Sequence, residues 1–338
     1  MGHLVRYIVT RTLLTVPMTF VLLTVIFVVL RLMPGDPVSA MLGAHAPEHV
    51  IEQKREQLGL NRPLHVQYVD YLWKVSHLDL GESMVLQQKV TDAIADKLPA
   101  TIELTVSGMF ITLVLGVFLG AYAADRRRTL TDSAIRLYGI VVYCIPVYWL
   151  GLMLQLVFGV WMDWLPIAGR TGPRVFPSDF ERTGFYVVDT LLAMDYDSFR
   201  DVLVHLVLPA FTLGLTLSGI FVRLTRANML DVLKADYILA AESRGIPRSR
   251  VVYRHALKNA FIPILTMMGL QVALLMAGAI LTETTFSWPG MGRLLLERIY
   301  LRDYPTIQGV IIVFALMVAL ISLLVDIVYA VVDPRIRY

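Results

Sequence analysis

The fold is decided by long uncharged stretches, the clearest of which is YPTIQGVIIVFALMVALISLLV at residues 304–325. A helix needs about 20 residues to cross the hydrocarbon core of a bilayer, and this stretch has that length. Five other uncharged stretches are similar, at residues 12–30, 104–124, 137–162, 202–222 and 259–282. Because backbone groups in lipid must be hydrogen-bonded within their own segment, we predict an all-α membrane protein with six transmembrane helices.

The composition agrees with this class and argues against others. Apolar residues make up 57% of the chain and charged residues only 17%, against a usual charged share of about 25%. The net charge, 30 minus 27 or +3, is too small to indicate a nucleic-acid partner. The stretches do not alternate in polarity, so a membrane β-barrel is not predicted. Neither the single cysteine, Cys144, nor the seven histidines have partners at metal-ligand spacing, so no metal site is expected.

The orientation follows from the basic residues, which collect on the cytoplasmic side of membrane proteins. Four basic segments occur: the amino terminus with Arg6 and Arg11, and residues 125–128, 223–258 and 335–337. Six crossings place all four on one face of the membrane, so both termini are predicted to be cytoplasmic.

These crossings divide the chain into residues 1–32 with the first span, an external helical insertion at 33–99, and a core at 100–338 with spans two to six. Within the insertion, Pro47 and Pro63 are suitable helix starts, and Gly59 is a suitable stop. The core contains a second external segment, the loop at 163–201, which is rich in acidic and aromatic residues. A solvated loop and a docking surface for an extracytoplasmic partner both fit these external segments.

The most informative segment is the predicted cytoplasmic loop at 223–258, which has strong helix punctuation. Asp236 is a suitable N-cap, Gly245 is a suitable C-cap, and Pro247 cannot continue the helix. A helix of about eight residues, roughly 12 Å long, is predicted between them. Such a helix fits either a groove on a partner protein or the membrane surface, where basic residues bind anionic lipid.

The segment 236–245 resembles the "EAA" loop of ABC importer permeases, whose pattern is Glu-Ala-Ala, three residues and Gly. Ala240, Ala241 and Gly245 match the pattern, whereas Leu239 stands at the position of its glutamate. Further motifs resemble the dipeptide, oligopeptide and nickel branch of this family and occur in the expected order over nearly the whole chain. They are LMPGDP at 32–37, HALKNA at 255–260, IP at 262–263, TET at 282–284, FSWPG at 286–290, RDYP at 302–305 and DPR at 333–335.

The resemblance implies the type I importer permease fold, located in the inner membrane, and a subunit that forms half of the translocation path for di- or oligopeptides. The implied partners are a paralogous permease subunit, two ATPase subunits or domains, and an extracytoplasmic peptide-binding protein. ATP and Mg would be bound by the ATPases, and no cofactor is expected in this chain. The residues implied in coupling to the ATPases are Tyr237, Ala240, Ala241, Glu242, Arg244 and Gly245.

The chain has no ATPase motif of its own. A Walker A loop needs a lysine followed by Ser or Thr, and no lysine of this sequence has that neighbour. ATP hydrolysis is therefore expected from another subunit, and the chain is predicted not to be an enzyme.

Two polar residues of the fifth stretch and its external end are candidates for the substrate path. Polar groups within a membrane are energetically costly, so a functional role is the first hypothesis for each. Gln271 lies in the middle of the stretch, and Glu283 follows it at the external side. An amide that bonds another helix and an interfacial structural carboxylate are the alternatives.

Two other functions stay open at this point. One is an ion-coupled secondary transporter or channel, which would be favoured by inverted repeats, broken helices and charged residues at the membrane midplane. The sequence shows no charged midplane residue and no obvious paired interruption. The other is an ABC permease for nickel or another small solute.

Overall fold

A computed structural model describes residues 2–32, 38, 46–57, 59–83, 85, 87–177, 180 and 182–332. The chain is built mainly from α-helices. In chain order they are α1 (Gly2–Leu32), α2 (Glu48–Gln57), α3 (Leu64–Ser76), α4 (Val90–Asp125), α5 (Leu130–Cys144), α6 (Val147–Leu154), α7 (Tyr186–Leu192), α8 (Tyr196–Val232), α9 (Asp236–Ser243), α10 (Arg248–Arg250), α11 (Leu257–Thr285), α12 (Met291–Tyr300) and α13 (Tyr304–Val332). A short antiparallel hairpin of β1 (Glu82–Ser83) and β2 (Gln88–Lys89) precedes α4.

Each of the six uncharged stretches corresponds to helix in the structure. Among the described residues, α1, α4, α8 and α13 are long and apolar enough to cross a membrane, and the bent pair α5 and α6 would make a fifth span. The remaining stretch corresponds to α11, which has 29 residues. The prediction of a helical membrane protein is confirmed, whereas six crossings and cytoplasmic termini stay predictions.

The third uncharged stretch is not one helix. The axes of α5 and α6 are bent by 105° at the break between Cys144 and Val147. Pro146 causes the break, because it lacks a backbone N–H and forces the preceding Ile145 into an extended conformation with ψ of 126°. The expectation of a single spanning helix over 137–162 is therefore wrong, and π-helical turns at Gln155–Trp161 extend α6.

The core lies where α4 packs along α8, with α11 beside them. Small residues allow the two long helices to approach closely: a Cβ on Gly214 would lie 2.8 Å from the carbonyl oxygen of Gly108. The hydroxyl of Thr112 crosses the same contact and donates to the carbonyl oxygen of Gly214 at 3.0 Å. Close van der Waals packing of this kind is the main source of helix association in lipid, where apolar side chains gain nothing by leaving water.

The predicted external loop at 163–201 is bound to α4 by a buried ion pair. Arg170 donates to the Oε2 atom of Glu103 through Nη2 at 2.7 Å and Nε at 3.1 Å, and each side chain is only 6% exposed. The Oε1 atom of Glu103 accepts from the backbone N–H of Val187 at 2.8 Å. The guanidinium of Arg170 also lies 3.6 Å from the centre of the Tyr186 ring, so Arg170 connects α4 to the start of α7.

The predicted external insertion contains the helices expected after Pro47 and Pro63, which are α2 and α3. Gly59 follows α2 with φ of +67°, a backbone conformation that favours glycine. A further helix begins within the insertion at Val90. It continues without a break beyond residue 99, because it is the first part of α4. Two motifs of the family resemblance, 33–37 of the first and all of the last at 333–335, lie outside the described residues.

Candidate functional site

The predicted coupling helix is α9, which has the eight residues expected. It begins one residue earlier than predicted: the N-cap is Ala235, in an extended conformation, and Asp236 is the first helical residue. The assignment of Asp236 as N-cap is therefore wrong. In the first turn its carboxylate still lies near the positive end of the helix dipole, which it stabilises.

The carboxyl end of α9 is a Schellman motif, a capping arrangement in which two backbone N–H groups fold back onto the last turn. Gly245 has φ of +73°, and its N–H donates to the carbonyl oxygen of Glu242 at 2.9 Å. The N–H of Ile246 donates to the carbonyl oxygen of Ala241 at 3.3 Å. Gly245 was predicted to be the C-cap, but the C-cap is Arg244, and Gly245 is the next residue, whose left-handed conformation glycine adopts without strain.

One face of α9 is anchored to the body of the protein. Ile238 is completely buried and packs in an apolar cluster with Met229 of α8, Ala121 of α4 and Val251 just after α10. Ala241 contacts the same cluster from the next turn of the helix. The helix is thus connected directly to the ends of two long helices rather than suspended between flexible connections.

The opposite face of α9 is open and partly apolar. Tyr237 is 46% exposed and Leu239 is 53% exposed, with Ala240 and Arg244 exposed beside them. The hydroxyl of Tyr237 accepts a hydrogen bond from Nδ2 of Asn259 at 2.9 Å, which holds its ring at the edge of this face. The open face is well suited to a groove on another protein, because it is short, convex and apolar at its centre.

The six residues predicted to couple to an ATPase do not all lie on this face. The structure brings together Tyr237, Ala240 and Arg244 on the open side. Ala241 packs against the apolar cluster and Gly245 caps the helix. These two residues therefore position α9 and are not part of its open face. The carboxylate of Glu242 is bound within the chain by Arg248.

Arg248 is a residue of this site that sequence reasoning did not find. Its guanidinium donates from Nε to the Oδ1 atom of Asp125, the last residue of α4, at 2.8 Å, and from Nη1 to Glu242. These two carboxylates raise the pKa of Arg248, with the hydrogen bond to Asp125 as the largest cause. The only signal in the sequence was the charge complementarity of residues that are 123 positions apart.

The two candidates for the substrate path are placed differently. Glu283 is fully buried: its Oε1 accepts from the hydroxyl of Thr101 at 2.6 Å, and its Oε2 accepts from the backbone N–H of Arg293 at 3.0 Å. The carboxylate thus holds the amino-terminal turn of α12 against α4. Gln271 is 5% exposed, and its Oε1 has no hydrogen-bond partner among the described residues. The two are twelve positions apart on α11, or roughly 18 Å, and form no common site.

Comparison with known proteins identifies the family. Residues 116–338 match the family described as "Binding-protein-dependent transport system inner membrane component", and residues 4–105 match the family of its amino-terminal region. The chain belongs to this family.

Individual relatives match over the full length. The chain is 40% identical over 337 residues to the di/tripeptide transport system permease protein DppB of Pseudomonas aeruginosa, with 99% of each chain covered. It is also 40% identical over 339 residues to the dipeptide transport system permease protein DppB of Escherichia coli K12, again with 99% of each covered. The glutathione transport system permease protein GsiC of Escherichia coli O6:H1 is 36% identical over 335 residues, 99% of this chain and 100% of its own.

The predicted class is confirmed by these comparisons. The chain is a permease subunit of an ABC importer, it lies in the inner membrane, and its helical fold is that of the type I importer permeases. The transport system depends on a binding protein and an ATPase. No group of three His, Cys, Asp or Glu side chains that could hold a metal ion occurs in the described part of the chain.

Proposed function

We propose that this permease imports di- or oligopeptides and forms half of the translocation path together with a paralogous permease subunit. The observation that carries the proposal is the identity of 40% over 99% of the chain to permeases named for dipeptides and for di- and tripeptides. The family assignment favours this ATP-driven class over an ion-coupled secondary transporter or channel. The break at Pro146, the one feature shared with such transporters, has no counterpart among the other described long helices.

In this proposal, the ATPase binds the open face of α9, and its conformational change is transmitted to the permease there. Two separate ATPase subunits or domains bind ATP and Mg, and a groove on one of them covers Tyr237, Leu239 and Ala240. Because Ile238 packs against the ends of α4 and α8, a shift of the ATPase tilts both long helices. The chain contributes no catalytic residue and no cofactor, and an extracytoplasmic peptide-binding protein delivers the substrate.

Transport is tested with the complete system, reconstituted in proteoliposomes with its binding protein. We expect ATP-dependent accumulation of radiolabelled Ala-Ala, and none of free alanine. Accumulation that does not require ATP, or equal accumulation of alanine, would overturn the proposal.

The coupling role of α9 is tested by placing a charge on its open face. Ala240→Arg should lower co-purification of the ATPase by about tenfold, because a buried unpaired charge at a contact costs well over 1 kcal/mol. Ala227→Arg, the same substitution at an exposed alanine of α8, is the matched control. If both variants retain the ATPase equally, α9 is not the docking helix.

A second candidate substrate is glutathione, a modified tripeptide, because a permease named for it is 36% identical over the full chain. The same proteoliposomes decide between the two substrates. Competition by glutathione as effective as that by unlabelled Ala-Ala would favour this second assignment.

A further inference from the structure

A cleft of about 440 Å³ lies between the first turns of α4 and the length of α12, far from α9 along the chain. Its volume is within the range of roughly 300–1,000 Å³ that is usual for small-molecule sites. The residues around it include both signs of charge. They are Gln88, Ala93, Asp96, Lys97, Pro289, Gly290, Arg293, Leu294, Glu297 and Arg298.

Most of these charges compensate one another. Lys97 pairs with the neighbouring Asp96 at 2.7 Å, and Nε of Arg293 pairs with Oε1 of Glu297 at 2.9 Å. Both pairs lie on the exposed rim. Two cations and two carboxylates therefore cancel, and the charge of Arg298 is left over.

Arg298 is buried without adequate partners. The residue is 8% exposed, and its Nε makes no hydrogen bond within the described ranges. Among the described residues, the nearest carboxylate oxygen is Oε2 of Glu297, 3.9 Å from Nη2, which is beyond hydrogen-bond distance. A buried guanidinium is costly unless an anion accepts its N–H groups, so Arg298 is suited to bind an anion that enters the cleft.

We propose that the cleft binds the free carboxylate of a short peptide, with Arg298 as the receptor. The proposal rests on the proposed function and adds a site to it. A guanidinium presents two parallel N–H groups that match a carboxylate, and this geometry rejects the corresponding amide. The carboxylates of Asp96 and Glu297 on the rim are already paired with Lys97 and Arg293, so the carboxylate is the charged group of the peptide that this cleft is expected to recognise.

The site is tested by thiol protection on the purified complex in nanodiscs, without the binding protein. Cys144 is the only cysteine of this chain, so in Cys144→Ser the added Gln88→Cys at the cleft is the only thiol of this subunit, and its labelling is followed separately from that of the other subunits. The rate at which an anionic thiosulfonate modifies the new thiol is measured with and without Ala-Ala. We expect Ala-Ala to slow the reaction about tenfold more than Ala-Ala amide does, as a charge-assisted hydrogen-bond pair predicts.

Three variants in the same background identify the receptor. Arg298→Gln should abolish the difference between acid and amide, and Arg298→Lys should retain part of it. Arg302→Gln, which removes an exposed cation shortly after α12, should leave the difference unchanged. The comparison of Ala-Ala with Ala-Ala amide is also made in the protein that retains Arg298. It therefore tests whether the cleft recognises a carboxylate even if Arg298→Gln does not fold.

The proposal is overturned by any of three results. Equal protection by acid and amide would assign Arg298 to a structural role, such as a water-mediated contact with Asp303, whose Oδ1 is also without a partner among the described residues. A difference that survives in Arg298→Gln would exclude Arg298 as the receptor. Protection by peptide-free binding protein but not by Ala-Ala would make the bound carboxylate a side chain of that protein. ATP-dependent uptake of Ala-Ala by the wild-type system tests the proposed function separately.

Discussion

Two ion-paired regions hold α4, and they differ in their exposure to water. Near its predicted external half, Glu103 and Arg170 are each 6% exposed and joined by two hydrogen bonds. At its last residue, Asp125 is joined to Arg248, whose side chain is 51% exposed. The first pair lies in a medium of low dielectric constant where breaking it leaves a buried charge, whereas the second is screened by solvent.

The difference indicates which end of α4 is held more firmly. The region around Glu103 and Arg170 is held by a buried pair that requires both partners at once. The helix α9 is held by its apolar face, where Ile238 is fully buried, and by exposed ion pairs that can be exchanged for water at little cost. A helix that transmits the motion of a partner is expected to have contacts of this second kind, because they permit rearrangement without unfolding.

The largest effect is expected from breaking the buried pair. Arg170→Ala leaves the carboxylate of Glu103 buried and unpaired, which should lower the stability of the external region by about 3–5 kcal/mol. Thermal unfolding of the purified complex in nanodiscs measures this loss. Arg174→Ala, at an exposed position of the same loop, is the control and should leave the unfolding midpoint unchanged. Equal unfolding midpoints for both variants would show that the buried pair at Glu103 does not stabilise its end of α4 more than the exposed pair stabilises the other.

The apolar anchor of α9 should come next. Ile238→Ala removes a fully buried side chain, and a loss of about 2–4 kcal/mol in local stability is expected. Hydrogen exchange of the α9 amides should become faster while the external helices are unaffected. Leu239→Ala, one position away on the open face, should leave the exchange rates unchanged and weaken only the association with the ATPase. Identical exchange in the two variants would mean that the anchoring face is assigned wrongly.

A smaller effect is expected at the cap. No atom lies within 4 Å of a Cβ placed on Gly245, so the cost of Gly245→Val is conformational and should be about 1–2 kcal/mol. Gly245→Asn should cost less, because asparagine adopts the left-handed conformation more readily. Hydrogen exchange of the backbone N–H groups of Gly245 and Ile246 reports the difference. A valine variant with unchanged exchange would show that the Schellman motif does not stabilise the end of α9.

The smallest effect is expected at the exposed ion pair. Arg248→Ala and Asp125→Asn, alone and combined, should give a coupling energy of about 0.2–1 kcal/mol between the two side chains. High salt should reduce that value, since screening acts on exposed charges. The measurement is hydrogen exchange of α9 at low and high salt. A coupling energy as large as the loss of about 3–5 kcal/mol expected for Arg170→Ala would contradict the contrast between the exposed and the buried pair. A coupling energy that does not change with salt would contradict it as well.

Local rules made several features predictable. Uncharged length identified the helices, because lipid enforces internal hydrogen bonding. Gly245 and Pro247 marked the end of α9, because backbone conformation at a cap depends on the residues themselves. The break at Pro146 was not predicted, although proline is a known helix breaker, and the bend of 105° could not have been, since its angle depends on what the two helices pack against. Glu283 was visible as a polar residue, but its hydrogen bonds to Thr101 and the start of α12 were not.

The sequence by itself determined the helical membrane class, the short helix α9 and the family, because each depends on residue order, composition or local conformation. Only the tertiary structure decided which charges meet. Glu103 binds Arg170 across 67 positions, and Asp125 binds Arg248 across 123, pairings that no local pattern encodes. It also left Arg298 buried with no anion at hydrogen-bond distance in the described part of the chain, a property of three-dimensional burial rather than of residue type. The physical reason is that desolvation and charge pairing depend on what packing brings together in space.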